Sequence, residues 1–202
     1  MHIVCLDLEG VLIPEIWINF AERTQIPELR LTTRDIPNYD TLMQGRLRIL
    51  AEHELGLREI QEVIAGMEPE PGAKDFLDQL RRDFQVIILS DTFYEFGMPF
   101  MQKLGLPTLF CHKLEVGEGG RIEGYRLRQA DPKRKAVSAF KGLNFKTIAA
   151  GDSYNDTTML AEADAGILLR APDNVIREFS QFPITRTYAE LDAEIRKADA
   201  GF

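Results

Sequence analysis

The stretch Ile3-Val4-Cys5-Leu6-Asp7-Leu8-Glu9-Gly10 decides the fold of this chain. Four apolar residues lead into an acid, and a second acid follows two positions later, before a glycine. An uninterrupted apolar run of this kind is typical of a strand buried on both faces of a parallel sheet. The two acids then lie at the carboxyl edge of the sheet, where open α/β folds bind ligands. The alternative is a strand-end Asp that only forms a turn with the glycine.

Composition narrows the classes of protein to consider. The chain has 202 residues, with 24 Lys and Arg against 32 Asp and Glu, and a net charge of -8. Nucleic-acid binding relies on clustered basic residues, so we expect no nucleic-acid partner. No apolar run approaches the ~18 residues of a membrane span, and no signal peptide is evident, so we expect a cytoplasmic protein without membrane contact. Cys5 and Cys111 lie in apolar segments, and we expect them to be buried and unpaired.

The chain divides into two kinds of sequence. Helical spacing predicts helices over 15–24, 40–55 and 57–67 and no strand among them, so residues 15–70 are predicted to form a helical cap inserted after the first strand. Residues 1–14 and 71–202 alternate strands with helices, which predicts an α/β core with a Rossmann-like parallel sheet flanked by helices. A short strand is predicted at 108–111, followed by a β-hairpin with arms at 114–116 and 121–127.

Polar side chains follow three of the predicted buried strands. Asp7 and Glu9 follow the first strand, Ser90 follows the second, and Asp152 and Asp156 follow a later one. Since parallel neighbours bring their carboxyl ends to one edge, we expect these groups to converge. Several carboxylates in one place repel each other, so the site needs a divalent cation. Oxygen ligands without nearby His or Cys favour Mg²⁺ over zinc.

Four segments, in order along the chain, resemble the motifs of the haloacid dehalogenase-like phosphohydrolases. They are 7–11, Ser90 after an apolar strand, Lys133, and 151–156. Each motif is weak alone, but the ordered set spans nearly the whole chain. The helical insertion resembles the cap of the phosphoserine phosphatase branch. The resemblance implies a Mg²⁺-dependent phosphatase that acts on phosphoserine and also transfers the phosphoryl group to homoserine.

The resemblance further implies roles for the core residues. Asp7 would be the nucleophile that becomes an aspartyl-phosphate. Glu9 would protonate the leaving serine oxygen and then activate the acceptor as a base. The carboxylates of Asp7 and Asp152, with the backbone carbonyl of Glu9, would hold Mg²⁺.

A second group of residues is implied to bind the phosphate. Ser90 and the backbone N–H of Asp91 would hold phosphate oxygens, and Lys133 would neutralise the phosphate and the nucleophile. Asn155 would contact the substrate or its phosphate. Asp156 would orient Lys133 or a metal-bound water.

Substrate selectivity is expected from the cap. By the same resemblance, Glu15 would take the substrate ammonium and Arg46 its carboxylate, since an Arg fork matches a carboxylate bidentately. Glu15 has an alternative role as the favoured acid at a helix start. Arg48 competes with Arg46, and either could be a solvated helix charge.

Two positions depart from the family pattern. Glu9 stands where Asp is usual, and its extra methylene would suit a bulkier acceptor than water. Asp91 stands where glycine is common, but only its N–H is needed to bind phosphate.

Two other functions do not fit the sequence, and two more remain open. A serine esterase built on 151–153 would need a histidine late in the chain, and His2, His53 and His112 all precede Ser153. A receiver-like signalling domain would lack the cap and the second acid. A phosphatase for another small phosphomonoester, such as a sugar or nucleotide phosphate, stays open, as does a non-catalytic binding module. Exposed cap helices would suit a homodimer.

Overall fold

The first strand forms the centre of the molecule. The structure, a computed structural model, describes residues 1–32, 35–36 and 38–202. Thr33, Arg34 and Pro37, which fall in the predicted cap, lie outside that description. The helices and strands are β1 (His2–Leu6), α1 (Ile16–Thr24), α2 (Tyr39–Glu52), α3 (Leu57–Ala65), α4 (Ala73–Asp83), β2 (Gln85–Phe93), α5 (Tyr94–Lys103), β3 (Thr108–Val116), β4 (Ile122–Arg126), α6 (Pro132–Gly142), β5 (Lys146–Gly151), α7 (Thr157–Glu162), β6 (Ala165–Leu169), α8 (Asp173–Glu178), β7 (Ile184–Thr185) and α9 (Tyr188–Ala200).

The strands form one seven-stranded sheet in the order β4-β3-β2-β1-β5-β6-β7. β1 lies between β2 and β5 and pairs in parallel with both, so that Leu6 is opposite Ile88 on one side and Ala150 on the other. The only antiparallel pairing among these strands joins β3 and β4. The predicted α/β fold, with a mostly parallel sheet flanked by helices, is confirmed.

The apolar run of β1 is buried on both faces of the sheet. Successive strand side chains point to opposite faces, and accordingly Val4 and Leu6 belong to one buried cluster while Cys5 belongs to another. Both cysteines are buried and unpaired, as expected. A strand packed on both faces is held firmly in place, so the residue that follows β1 has a well-defined position.

The third strand corrects the sequence analysis. The predicted break between 108–111 and the first arm of the hairpin is wrong, because β3 runs without interruption from Thr108 to Val116. Its first half pairs in parallel with β2, and its second half, from Lys113, pairs antiparallel with β4. The polar residues His112 and Lys113 mark the change of partner rather than a turn.

The segment between β1 and α4 leaves the sheet and returns close to the same point. The described part of it folds into α1, a 3-10 turn at Pro27–Arg30, α2 and α3. On its return, the N–H of Glu70 donates a hydrogen bond to the carbonyl of Leu12 at 2.9 Å. In the described parts of the chain, we find no helix with the length and apolar character needed to span a membrane.

Candidate active site

An acidic cluster lies at the carboxyl edge of the sheet. Asp7 directly follows β1, and Asp152 directly follows β5, so the parallel pairing of these strands brings the two side chains together. The N–H of Asp7 donates to the carbonyl of Ala150 at 2.9 Å, which extends the pairing past the end of β1. Asp156 joins them, and one carboxylate oxygen from each residue lies within 4.8 Å of the others. All three acids are buried.

A single ammonium group is buried against this cluster. Lys133, in the first turn of α6, places its Nζ 2.7 Å from Asp7 Oδ1 and 2.7 Å from Asp156 Oδ1. Burial alone would lower the pKa of Lys133, but the charges of Asp156, Asp7 and Asp91 raise it well above its usual range. The lysine is therefore a permanent cation beside the nucleophile candidate.

Asp156 also shapes the loop that carries Asp152. Its Oδ2 accepts hydrogen bonds from the backbone N–H groups of Asp152 at 2.9 Å and Ser153 at 3.1 Å. One carboxylate therefore holds both the lysine and the loop after β5. The sequence analysis gave Asp156 a supporting role, and the structure adds it to the group of oxygens that could surround a metal ion.

The charge balance of the cluster favours a bound divalent cation. The three carboxylates have oxygens within 4.8 Å of one another, and Lys133 pairs with two of them, Asp7 and Asp156, so that their mutual repulsion is only partly offset. Burial, and next the charge of Asp156, raises the pKa of Asp7 well above its usual range, although Lys133 opposes the shift. A hard cation with oxygen ligands would relieve both effects, and this donor set is the one that Mg²⁺ prefers. The buried residues thus fit the metal predicted from the sequence.

Gly10 gives the cluster the space it needs. Its backbone has φ +78, and a Cβ at this position would come within 2.5 Å of Asp152 Oδ2. An L side chain would therefore strain the backbone and displace the carboxylate. The glycine of the opening motif allows the turn after β1 to pass directly beside Asp152.

β2 supplies the next part of the site. Ser90 is buried, and its Oγ accepts a hydrogen bond from the N–H of Thr92 at 3.2 Å. The side chain of Asp91 lies 3.5 Å from Lys133 Nζ and accepts a hydrogen bond from Asn155 Nδ2 at 3.0 Å. Burial alone would raise the pKa of Asp91, but Lys133, followed by His112 and Asn155, holds it well below its usual range.

Glu9 points toward the start of the inserted segment. Its Oε2 accepts a hydrogen bond from the N–H of Ile16, the first residue of α1, at 2.9 Å. Burial raises the pKa of Glu9 to about 8, and the charge of Glu15 adds to the shift, against hydrogen bonds from Ile16 and Thr92. The side chain of Glu9, which is longer than the usual Asp, thus connects the loop after β1 with the first helix of the insertion.

Arg46 forms the opposite side of the site. It is buried on α2, donates a hydrogen bond to the carbonyl of Leu31 at 2.7 Å, and lies 4.4 Å over the ring of Trp17. Burial lowers the pKa of Arg46 to about 10, so it remains a cation at neutral pH. Its buried Nε has no hydrogen-bond partner among the described residues. Arg48 is exposed on the same helix and does not line the cavity.

These groups surround one cavity of about 710 Å³. Asp152 and Asp156 lie behind its lining, in contact range of Asp7. The other residues predicted for the site all line it: Asp7, Glu9, Glu15, Arg46, Ser90, Asp91, Lys133 and Asn155. The structure therefore brings every predicted site residue to one place.

Comparison with known proteins identifies the family. Residues 1–164 match the model of a hydrolase family described as haloacid dehalogenase-like hydrolase. The chain belongs to the haloacid dehalogenase-like hydrolases. The resemblance found in the sequence motifs is thereby confirmed at the level of the family.

Individual relatives of this haloacid dehalogenase-like hydrolase are similar over its full length. It is 64% identical to phosphoserine phosphatase ThrH of Pseudomonas aeruginosa over 200 residues, and this alignment covers 99% of this chain and 98% of the relative. It is also 64% identical over 198 residues to a phosphoserine phosphatase of Pseudomonas syringae pv. tomato, covering 98% of this chain and 84% of that one.

Solved structures agree with the fold. A structure described as a phospho-aspartyl intermediate analogue of phosphoserine phosphatase superimposes with a TM-score of 0.74 at 19% identity, covering 96% of this chain and 98% of the other. The structure of an apo phosphoserine phosphatase superimposes with a TM-score of 0.74 at 20% identity, and the match covers 92% of this chain and 94% of the other. At these identities the likeness establishes the fold alone.

Sequence reasoning missed several residues that line the cavity of this hydrolase. Tyr39 donates from its hydroxyl to the carbonyl of Asp91 at 3.1 Å, and Thr92 and His112 are buried beside it. Trp17 also lines the cavity, and its ring lies 4.4 Å from the Arg46 guanidinium. The available signal for His112 was its position directly after the apolar run Leu109-Phe110-Cys111.

Proposed function

We propose that this chain hydrolyses O-phospho-L-serine through an aspartyl-phosphate on Asp7, depends on Mg²⁺, and also transfers the phosphoryl group to homoserine. The substrates are therefore small phosphorylated and hydroxylated amino acids, and we propose a cytoplasmic location for the reaction. The names of the two relatives at 64% identity support the phosphoserine phosphatase activity.

The observation that carries the proposal is the composition of the cavity. One side holds the buried side chains of Asp7 and Lys133, and the other holds Glu15 and the buried cation Arg46, whose Nε has no partner among the described residues. An amino-acid phosphate matches this arrangement, because its carboxylate suits a guanidinium and its ammonium suits a carboxylate. A sugar phosphate carries neither charged group and would offer no carboxylate to the Arg46 guanidinium.

In the first half of the reaction, Asp7 attacks phosphorus. A bond forms between a carboxylate oxygen of Asp7 and phosphorus, and the bond from phosphorus to the serine oxygen breaks. Glu9 donates its proton to the departing serine oxygen. Lys133 lies 2.7 Å from Asp7 and offsets negative charge as the phosphoryl group arrives.

In the second half, an acceptor hydroxyl attacks the phosphorus of the aspartyl-phosphate. Glu9 takes the proton from water or from homoserine, and the bond between Asp7 and phosphorus breaks, which restores the enzyme. The hydrogen bond from the Ile16 N–H keeps the Glu9 carboxylate at the edge of the insertion, where an acceptor larger than water would enter. Ser90, the N–H of Asp91 and Asn155 would hold the phosphate oxygens during both halves.

Asp7 and Asp152 would hold the magnesium ion, together with the carbonyl of Glu9, and Asp156 lies within the same group of oxygens. When bound, Mg²⁺ supplies charge neutralisation and alignment of the transferring phosphoryl group. The protein's own residues orient the nucleophile and move the proton.

The direct test follows phosphorus by ³¹P NMR. Purified protein is incubated with phosphoserine and Mg²⁺, with and without homoserine, beside the Asp7→Asn variant. We expect serine and inorganic phosphate in both wild-type reactions, O-phosphohomoserine only when homoserine is present, and no turnover by the variant.

Each other outcome separates one alternative. Phosphate release without O-phosphohomoserine would reduce the proposal to a phosphatase. Turnover of a sugar or nucleotide phosphate in place of phosphoserine would favour the wider phosphatase reading. Binding of phosphoserine with no turnover of any phosphomonoester would indicate a binding module.

A further inference from the structure

His112 is a buried histidine to which the proposed mechanism gives no task. It lies on β3, is 3% exposed, and its ring lies between those of Tyr39 and Phe93, with centroid distances of 6.5 Å and 6.4 Å. A buried imidazole with two nitrogens must satisfy both of them or lose stability. Its two contacts therefore indicate what it does.

The first contact decides which nitrogen carries the proton. The backbone N–H of Arg128 donates a hydrogen bond to His112 Nδ1 at 3.0 Å. A nitrogen that accepts a hydrogen bond has no proton of its own, so in the neutral ring the proton is on Nε2. That N–H faces Asp91 Oδ1 at 3.6 Å, a distance of electrostatic contact rather than of a full hydrogen bond.

The second contact leads to the catalytic groups. While Oδ1 of Asp91 faces His112, its Oδ2 accepts from Asn155 at 3.0 Å and lies 3.5 Å from Lys133 Nζ. Lys133 is in turn 2.7 Å from Asp7. His112, Asp91 and Lys133 thus form a continuous series of contacts that ends at the proposed nucleophile.

We infer that His112 is a positioning residue, whose Nε2–H orients the Asp91 carboxylate so that its other oxygen holds Lys133 and Asn155 in place. Without this donor, the carboxylate is free to rotate about its terminal bond and its Oδ2 leaves the two groups. The position after Ser90, at which the family commonly has glycine, therefore contributes a side chain here as well as an N–H. The effect on turnover rests on the proposed function, whereas the contact itself does not.

Two substitutions at position 112 separate the two contacts. The amide of Asn reaches the place of Nδ1, so His112→Asn keeps an acceptor for the Arg128 N–H but removes the donor to Asp91. The amide of Gln reaches the place of Nε2, so His112→Gln keeps the donor to Asp91. We expect kcat for phosphoserine to fall about 10- to 100-fold in His112→Asn, with a small change in KM, and His112→Gln to retain most of the wild-type kcat.

A double-mutant cycle shows whether the histidine acts through Asp91. Asp91→Asn and the double variant His112→Asn/Asp91→Asn should have nearly the same kcat, because the second change removes a contact already lost. Thermal unfolding should show the larger loss of stability in His112→Gln, because the Arg128 N–H then lacks its acceptor, so that the loss of kcat in His112→Asn does not follow stability. Equal losses in His112→Asn and His112→Gln, additive effects in the cycle, or losses that track the unfolding midpoint would overturn the inference.

A spectroscopic measurement tests the contact without any substrate. The chain has 3 histidines, so long-range ¹H–¹⁵N NMR can assign the ring of His112 by comparison with the variants. We expect a neutral ring with its proton on Nε2. A ring protonated on Nδ1 would refute the inference even if phosphoserine is turned over, whereas absence of turnover with the expected ring would count against the proposed function alone.

Discussion

The two sides of the cavity differ in how far the protein satisfies its own charges. On the sheet side, the Lys133 ammonium donates to Asp7 and to Asp156, each at 2.7 Å. On the insertion side, Arg46 contacts a backbone carbonyl and the ring of Trp17, and its buried Nε has no partner among the described residues. The cation of the sheet side is therefore held by the protein's own carboxylates, whereas the cation of the insertion side keeps one donor that a ligand could satisfy.

Under the proposed function, this difference would separate the groups that carry out the reaction from those that recognise the substrate. Groups that hold each other in place cost no reorganisation when a phosphoryl group enters, which is the condition for strong electrostatic stabilisation. A buried donor without an acceptor is unfavourable, and a ligand that supplies the acceptor is selected over one that does not. Substitutions on the two sides should therefore affect kcat and KM differently.

The largest effect is expected from Asp7→Asn. The amide keeps the size of the side chain but removes the nucleophile, so kcat for phosphoserine should fall on the order of 10⁴-fold or more. Steady-state phosphate release measures it, with Asp75→Asn on the exposed start of α4 as the matched control. Turnover within tenfold of wild type would mean that the sheet side is not the site of covalent chemistry.

Glu9→Gln is expected to have the next largest effect. The amide can still accept from the Ile16 N–H, but it has no proton to give to the serine oxygen, so kcat should fall about 10²- to 10⁴-fold. Single-turnover measurements should show slow formation of the aspartyl-phosphate. A variant that forms the intermediate at the wild-type rate would assign the proton to another group.

Arg46→Ala should affect recognition rather than chemistry. Loss of a charged hydrogen bond of about 1.5–3 kcal/mol predicts a kcat/KM for phosphoserine reduced about 10- to 100-fold, mostly through KM. The exposed Arg48→Ala serves as control and should change little. Phosphoethanolamine lacks the carboxylate, so Arg46→Ala should leave its turnover nearly as in wild type. An equal loss for both substrates would contradict carboxylate recognition.

The smallest effect is expected from Gly10→Ala, whose new methyl group would clash with the Asp152 carboxylate. A Cβ placed 2.5 Å from Asp152 Oδ2 must displace that carboxylate, and the apparent affinity for Mg²⁺ should fall about tenfold. Titration of activity with Mg²⁺ measures the change. Gly120→Ala is the matched control, since that glycine has φ +83 with nothing within 4 Å. Equal Mg²⁺ affinity in both variants would show that Asp152 is not displaced.

The sheet and its acidic edge were predictable because they follow from local patterns. A run of buried apolar residues predicts a central strand, and Asp7 and Asp152 lie near each other because both directly follow parallel strands. The course of β3 was not predictable in this way. His112 and Lys113 are polar, and nothing local shows that pairing passes from β2 to β4 at that point.

The parts of the site that lie outside the motifs could be predicted only in part from the sequence. The choice between Arg46 and Arg48 depends on which face of α2 is buried, and both residues have the same chemistry. The side chain of Asp91 was given no task because its partners Asn155 and His112 come from distant parts of the chain. Such contacts arise from tertiary packing, which local propensity does not encode. The division into core and cap stays a prediction.

The hydrogen bond between Glu70 N–H and the Leu12 carbonyl has an evolutionary consequence. It places the two ends of the inserted segment side by side, so a segment of another length could be grafted between them without stretching the sheet. Chimeras that exchange the inserted segment between relatives should therefore keep the sheet and its acidic edge while the opposite wall of the cavity changes.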